Sequence, residues 1–234
     1  MTELSLVIPV YNEENNIEGL VRTCQEYFGR TGLRYEIILV DDGSTDGSAD
    51  RIRSVLSDRV RKVTLNKNTG KGAAVRSGIL TAEGEYLFFT DSDLAYGLEV
   101  IPEMANLLKE GADLVLGSRA LASGSYGDYP LIRRVASHIY SGIITAFSGV
   151  DYDTQCGVKG FRKDSAVRIF RDLHTDGYAF DLEVILLAEK EGMTISQYPV
   201  TIINQGDSRV NVLTSSLSML RDMVRIRKRI RSME

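Results

Sequence analysis

Tyr86-Leu87-Phe88-Phe89-Thr90-Asp91-Ser92-Asp93 is the stretch that decides the fold. Four apolar residues in succession, bounded by polar ones, read as a short strand buried on both faces. The run ends on two carboxylates two residues apart. A carboxylate is a poor core residue unless it has a partner. The strand should therefore deliver the pair to the edge of its sheet, where open α/β sheets bind ligands. A hard divalent cation carrying phosphates is a suitable partner, since Mg²⁺ takes one or two carboxylates plus substrate oxygens. The alternative reading is Asp93 as N-cap of the next helix.

Working outward, strands and helices alternate. Leu4–Val10 is a continuous apolar run stopped by Asn12, and residues 13–28 carry Ile17, Leu20, Val21, Cys24 and Phe28 at helical spacing. Strands are expected at 36–40, 60–65, 85–90 and 113–117, with helices at 46–56, 70–80 and 99–108. Thr45 or Asp46 is the expected cap of the helix at 46–56. This alternation predicts an α/β fold with a mainly parallel, twisted sheet. The second half is less regular. Residues 119–130 read as a Gly/Ser-rich loop, 131–147 as a helix with a wide apolar face, 157–161 as a strand, and 165–170 and 181–191 as helices. A strand at 194–200 and a closing helix at 213–231 complete the chain.

Composition sets bounds. The chain has 234 residues, 43% hydrophobic and 26% charged, with net charge −4. That is ordinary for a globular domain, and the charge gives no global sign of nucleic-acid binding. Two Cys (Cys24, Cys156) and two His (His138, His174) make a zinc or Cys/His site unexpected. The first residues lack a basic and apolar leader pattern, and no apolar stretch reaches the ~20 residues that span a bilayer. The expectation is a reduced, cytoplasmic chain.

The other expected strand ends are also polar. Asp41-Asp42-Gly43-Ser44-Thr45-Asp46-Gly47-Ser48 follows the second strand. An acid there suits a base or ribose edge, whereas a turn and cap would account for Ser44 to Asp46. Asn68-Thr69-Gly70-Lys71-Gly72 opens the third helix. It is not a P-loop, but small residues at a helix N-terminus let anions approach, and Lys71 is the candidate phosphate contact. The alternative for that segment is a glycine-rich strand–helix connection.

Ile8-Pro9-Val10-Tyr11-Asn12-Glu13-Glu14, the run 41–48, Gly70-Lys71-Gly72 and Asp91-Ser92-Asp93 together resemble the family 2 glycosyltransferases of GT-A fold. Asp153-Thr154-Gln155-Cys156-Gly157 with Phe161-Arg162, and Phe180-Asp181-Leu182-Glu183, resemble the branch of dolichyl-phosphate glucosyltransferases and dolichyl-phosphate mannose synthases, nearer the glucose members. The resemblance covers nearly the whole chain. It implies an inverting transferase moving a hexose, glucose from UDP-glucose first, to a polyprenyl phosphate. Pro9, Tyr11 and Glu13 would frame the nucleotide. Asp41, Asp42, Lys71, Asp91 and Ser92 would complete the donor side. Asp91 and Asp93 would hold Mg²⁺ or Mn²⁺, with Asp93 catalytic. Family mannose synthases often carry Gln two residues after the second Asp, where this chain has Ala95, so water or donor phosphate would complete the metal shell. Arg119, Arg133 and Arg209 would bind the lipid phosphate, since Arg suits bidentate phosphate contacts. Asp181 stands where relatives with hydroxyl acceptors place a base.

The implied organisation is a GT-A domain at 1–210 and a basic amphipathic helix at 211–234, suited to a membrane surface on the cytoplasmic side. A packed helix with a solvated face is the other reading of that tail. A homo-oligomer is compatible with the sequence. The rival functions are a GDP-mannose or UDP-N-acetylglucosamine donor, a soluble hydroxyl acceptor, a nucleotidyltransferase, or a nucleotide-sugar-binding scaffold without catalysis.

Overall fold

The computed structural model describes residues 2–122, 152–204 and 212–232, with side chains in the last helix from Arg221 onward. Seven strands form one sheet: β1 (Leu4–Val10), β2 (Tyr35–Asp41), β3 (Val60–Thr64), β4 (Tyr86–Phe89), β5 (Leu114–Ser118), β6 (Lys159–Arg162) and β7 (Ile195–Pro199). Their order is β3-β2-β1-β4-β6-β5-β7. All pairs are parallel except those of β6, which runs antiparallel between β4 and β5. The mainly parallel α/β fold expected from the sequence is the one observed.

Helices cover both faces. On one side α1 (Ile17–Thr31) and α4 (Val100–Lys109) pack Phe28, Ile101 and Met104 against Leu6, Ile8 and Phe88. On the other lie α3 (Lys71–Thr81), α5 (Lys163–Asp172), α6 (Phe180–Lys190) and the C-terminal α7 (Val212–Ser232), around Val7, Phe89, Phe161, Phe170 and Phe180. The short α2 (Ser48–Ser54) follows β2. Side chains in β1, β2 and β4 are almost wholly removed from water, as the unbroken apolar runs required. Burial of each such Leu, Ile or Phe contributes about 1.5–3 kcal/mol.

Two details bring the binding edge together. The chain runs β1-β2-β3 in one direction and then returns to place β4 on the far side of β1. That reversal opens a crevice at the C-terminal ends of β1 and β4, the place where doubly wound sheets take ligands. The second detail is the closeness of α3 to the sheet. A Cβ on Gly78 would lie 2.3 Å from Val7 Cγ1, so only glycine lets this helix settle there, with its N-terminus at the crevice.

The expected cap of α2 is only partly observed: the helix starts two residues later, at Ser48, whose amide donates to Asp46 Oδ1 at 3.0 Å. Asp93 is not a helix cap, because α4 begins at Val100. The tail helix shows a mixed outcome. Met223, Ile226 and Ile230 are buried against the protein body, so those apolar residues are not available to lipid. Arg221, Arg225, Lys228 and Arg231 remain on the exposed side. The helix expected at 131–147 and all but the start of the expected loop at 119–130 lie outside the described residues. No described helix is long and apolar enough to cross a membrane.

Candidate active site

The cleft at the switch point has a volume of about 620 Å³. Pro9, Tyr11, Glu13, Asp42, Lys71, Asp91, Ser92 and Asp93 all line it, so the structure gathers most of the donor-side residues read from sequence into one place. A larger groove of about 1040 Å³ lies at the opposite ends of the strands, but its five acidic and five basic side chains offset one another. It lacks a concentrated charge or a strained turn, and the cleft has both.

Each acidic strand end has its own geometry. After β4 the chain turns sharply, Leu94 N donating to Asp91 O at 3.1 Å. Leu94 takes a φ of +48°, a left-handed conformation that costs about 1–3 kcal/mol in a branched residue and marks functional turns. The Asn16 and Asn204 side-chain amides pin the carbonyls of Ser92 and Asp93 at 2.9 and 2.8 Å. With its backbone fixed, the turn projects the two carboxylates into the cleft. Burial, and then the like charge of Asp91, pushes the Asp93 carboxyl above the usual carboxylate range. Lys71, from the first turn of α3, places Nζ 2.5 Å from Asp91 Oδ1. Burial acts to lower the lysine, but Asp91 and Asp181 outweigh it and hold it strongly cationic. On its other side Asp91 is closed by Gly157, where a Cβ would lie 2.1 Å from Oδ2.

The two acids after β2 take different roles. Asp41 is buried and does not line the cleft, and its Oδ1 accepts the Ser44 amide at 2.9 Å. Asp41, expected on the donor side, has a carboxylate that closes the turn. Asp42 lines the cleft while its two oxygens accept the amides of Thr69 and Gly70 at 2.8 and 2.9 Å. It thereby fixes the start of α3, and with it Lys71.

Two further expectations meet a different geometry. Asp181 is 5% exposed, outside the cleft lining, with Oδ1 2.5 Å from Lys159 Nζ. Burial raises its carboxyl, and Lys159 and then Lys71 restrain the rise. In this structure Asp181 serves as the buried counter-ion of Lys159, a different task from the expected base. Arg119, 7% exposed, spends its backbone N, Nε and Nη2 on Asp153 at 3.0, 2.8 and 2.8 Å. Burial opposes its charge, and the Asp153 carboxylate more than restores it. In this structure its fork is engaged by the Asp153 carboxylate. Arg133 and Arg209 lie outside the described residues. Both thiols are buried, Cys24 pushed up to about 12 and Cys156 to about 11, so neither is a nucleophile at neutral pH.

Sequence reasoning missed Asn16, Asn68, Gly177, Tyr178 and Asn204, all on the cleft wall. Tyr178 is 45% exposed, and its position just before Phe180-Asp181 was a usable signal. Asn204 had none, because it reaches the cleft only through a long-range bond to Asp93 O. The donor set for a metal is Asp91 and Asp93. Among the described residues no three His, Cys, Asp or Glu side chains cluster as ligands. Two hard oxygen donors, repelling each other and already drawing a lysine, fit a hard divalent ion whose other ligands are phosphate and water.

Sheet order, crevice and paired carboxylates define the GT-A class of α/β transferase. The solved structure of glucosyl-3-phosphoglycerate synthase from Mycobacterium tuberculosis, in complex with Mn²⁺, UDP and glucosyl-3-phosphoglycerate, superposes with TM-score 0.69 at 18% identity, over 98% of this chain and 80% of that one. The chain also aligns with dolichyl-phosphate beta-glucosyltransferases. That of Dictyostelium discoideum is 31% identical over 97% of this chain and 74% of its own length. That of Homo sapiens is 32% identical over 97% and 75%. The family model described as glycosyl transferase family 2 matches residues 5–170. The chain belongs to glycosyl transferase family 2, and it is a glycosyltransferase.

Proposed function

We propose that this enzyme moves glucose from UDP-glucose to a polyprenyl phosphate, with inversion, at a membrane surface. The observation that carries the reading is the Asp91–Asp93 pair in a cleft framed by Pro9, Tyr11, Glu13 and Asp42. The similarity to dolichyl-phosphate beta-glucosyltransferases along almost the whole chain supports the glucose donor and the lipid acceptor.

Each residue then has a physical task. Tyr11 offers a ring face for the nucleobase, being 41% exposed at the cleft. Asp42 keeps the start of α3 in place. Asp91 and Asp93 would hold a divalent ion, and that ion supplies charge neutralisation at the diphosphate leaving group. Lys71 stands where it can turn from Asp91 to a donor phosphate oxygen, adding a second cation at the developing charge. Asp181 and Lys159 keep the floor of this region electrically balanced. A lipid phosphate is already anionic at neutral pH, so it needs alignment more than deprotonation. Arg133 and Arg209 are the sequence-derived candidates for the acceptor phosphate. The exposed basic side of α7 would meet anionic lipid headgroups. The division proposed is a GT-A unit at 1–210 and a basic amphipathic helix at 211–234, which packs its apolar side on that unit.

The test is a donor screen against polyprenyl phosphate in detergent, with Mn²⁺ or Mg²⁺ and an EDTA control. Metal-dependent glucolipid formation from UDP-glucose is the expected result. Transfer to a soluble hydroxyl and to no lipid phosphate would overturn the acceptor, and preference for GDP-mannose or UDP-N-acetylglucosamine would overturn the donor.

A further inference from the structure

Glu183 is completely buried on α6, away from the cleft lining. Its Oε1 accepts the amide of His174 at 3.1 Å and its Oε2 that of Thr175 at 2.9 Å. The charge that faces it comes from α7, where Arg229 Nη2 forms an ion pair with Oε1. Burial opposes the charge of Arg229, and the Glu183 carboxylate is its ion-pair partner. A buried carboxylate without that cation would carry a large desolvation cost.

The segment held by Glu183 reaches the donor cleft from behind. Asp176 O accepts the Ala73 amide at 3.2 Å, and Arg76 donates to Leu173 O at 2.8 Å and to Asp176 Oδ1 at 3.0 Å. Contact is so close that a Cβ on Gly72 would lie 2.4 Å from Thr175 O, and one on Gly70 2.5 Å from Asp176 O. Gly70 and Lys71 themselves line the cleft, as do Gly177 and Tyr178 at the end of the same segment. Segment 173–177 is thus clamped between the start of α3 and Glu183, and Glu183 is clamped by α7.

We propose that Glu183 is a positioning residue for the donor site, and that Arg229 on the C-terminal helix sets it through charge. Docking of α7 fixes segment 173–177, and that segment fixes Lys71 and Tyr178. The helix that presents a basic face to the outside is therefore also a structural part of the donor pocket. Its linkage to donor affinity rests on the nucleotide-sugar reading, whereas the clamp itself does not.

The experiment uses the full chain as wild type, Arg229→Met, Arg229→Lys and Glu183→Gln. Backbone hydrogen exchange is read at His174, Thr175 and Ala73, and UDP affinity with Mn²⁺ is read by calorimetry. The expected result is faster exchange at all three amides in Arg229→Met and Glu183→Gln, with UDP affinity lowered about fivefold, the size of a modest coupling between sites. Arg229→Lys should restore both. Unchanged exchange in Arg229→Met overturns the clamp. Faster exchange with unchanged UDP affinity overturns its link to the donor site. Equally faster exchange throughout the sheet would show general loosening of the fold and also overturns it. Absence of UDP binding by the wild type would fail the donor reading, and the exchange measurement would still decide the clamp.

Discussion

A Cβ at position 157 would lie 2.1 Å from Asp91 Oδ2, so this carboxylate is held in place by a hydrogen atom on one side and by Lys71 on the other. Gly157→Ala should displace the carboxylate and weaken Mn²⁺ binding about tenfold, the typical cost of disturbing a ligand's support. Titration of the Mn²⁺ electron-spin signal with and without UDP measures this, and unchanged affinity would deny the contact any role. Asp93→Asn keeps the shape and the hydrogen bond accepted from Ala95 but removes one of the two negative charges that would hold the divalent ion at the leaving group. Transfer should fall about 10²–10³-fold, read as initial rate at saturating donor, with the circular dichroism spectrum unchanged. At this scale the sequence was partly legible. Asp91-Ser92-Asp93 announced itself, because two carboxylates closing an apolar run have few other uses. The environments of Asp41 and Asp181 were not legible, because a carboxylate satisfied by an amide or a buried lysine has the same letter as one awaiting a ligand.

At the scale of elements, periodicity placed the described strands and helices within a few residues, because buried parallel strands are unbroken apolar runs. It did not show that β6 enters antiparallel between β4 and β5, since strand direction depends on where the preceding connection leaves the chain. Glu36, on β2, illustrates a link that no periodicity carries. Its carboxylate accepts from Ser5 Oγ on β1 at 2.6 Å, from Glu83 N at 2.7 Å and from Arg61 on β3 at 2.7 Å. Burial acts to raise this carboxyl, and those donors outweigh it and lower it. With the folded value depressed, the stabilisation is fully present above the unfolded value of ~4.3 and is lost as pH falls through the folded one. Glu36→Gln should therefore cost about 1–3 kcal/mol at neutral pH, and the difference should shrink as pH drops below ~4. Urea unfolding of both proteins across that range measures it, and a cost independent of pH would contradict the charge assignment.

For the whole molecule, a net charge of −4 coexists with a basic outer side on α7, where Arg221, Arg225, Lys228 and Arg231 are exposed. Binding to vesicles containing anionic lipid should fall steeply with salt. Replacing Arg225 and Lys228 with Gln should weaken it about thirtyfold, at ~1 kcal/mol per cation. Vesicle sedimentation at low and high salt reads both effects, and salt-independent binding would point to apolar insertion instead. The tail's cationic residues were visible from sequence. The docking of Met223, Ile226 and Ile230 was not, because an amphipathic pattern looks the same whether its apolar side meets lipid or protein.

The position of β6 has a consequence for how the molecule is made. During synthesis β4 and β5 leave the ribosome well before Lys159–Arg162, the strand that joins them. Until then β1, β2, β3 and β4 can assemble as a half-sheet, while β4 shows an unpaired edge to the cell and β5 waits without a neighbour. Open edges of this kind invite pairing with other chains. The nascent enzyme should be most vulnerable to aggregation, and most in need of a chaperone, in the interval that ends when residue 162 emerges. The same insertion brings Gly157 onto Asp91, so the event that joins β5 to the half-sheet also seats a carboxylate of the cleft, whose wall is then finished by Gly177, Tyr178 and Asn204.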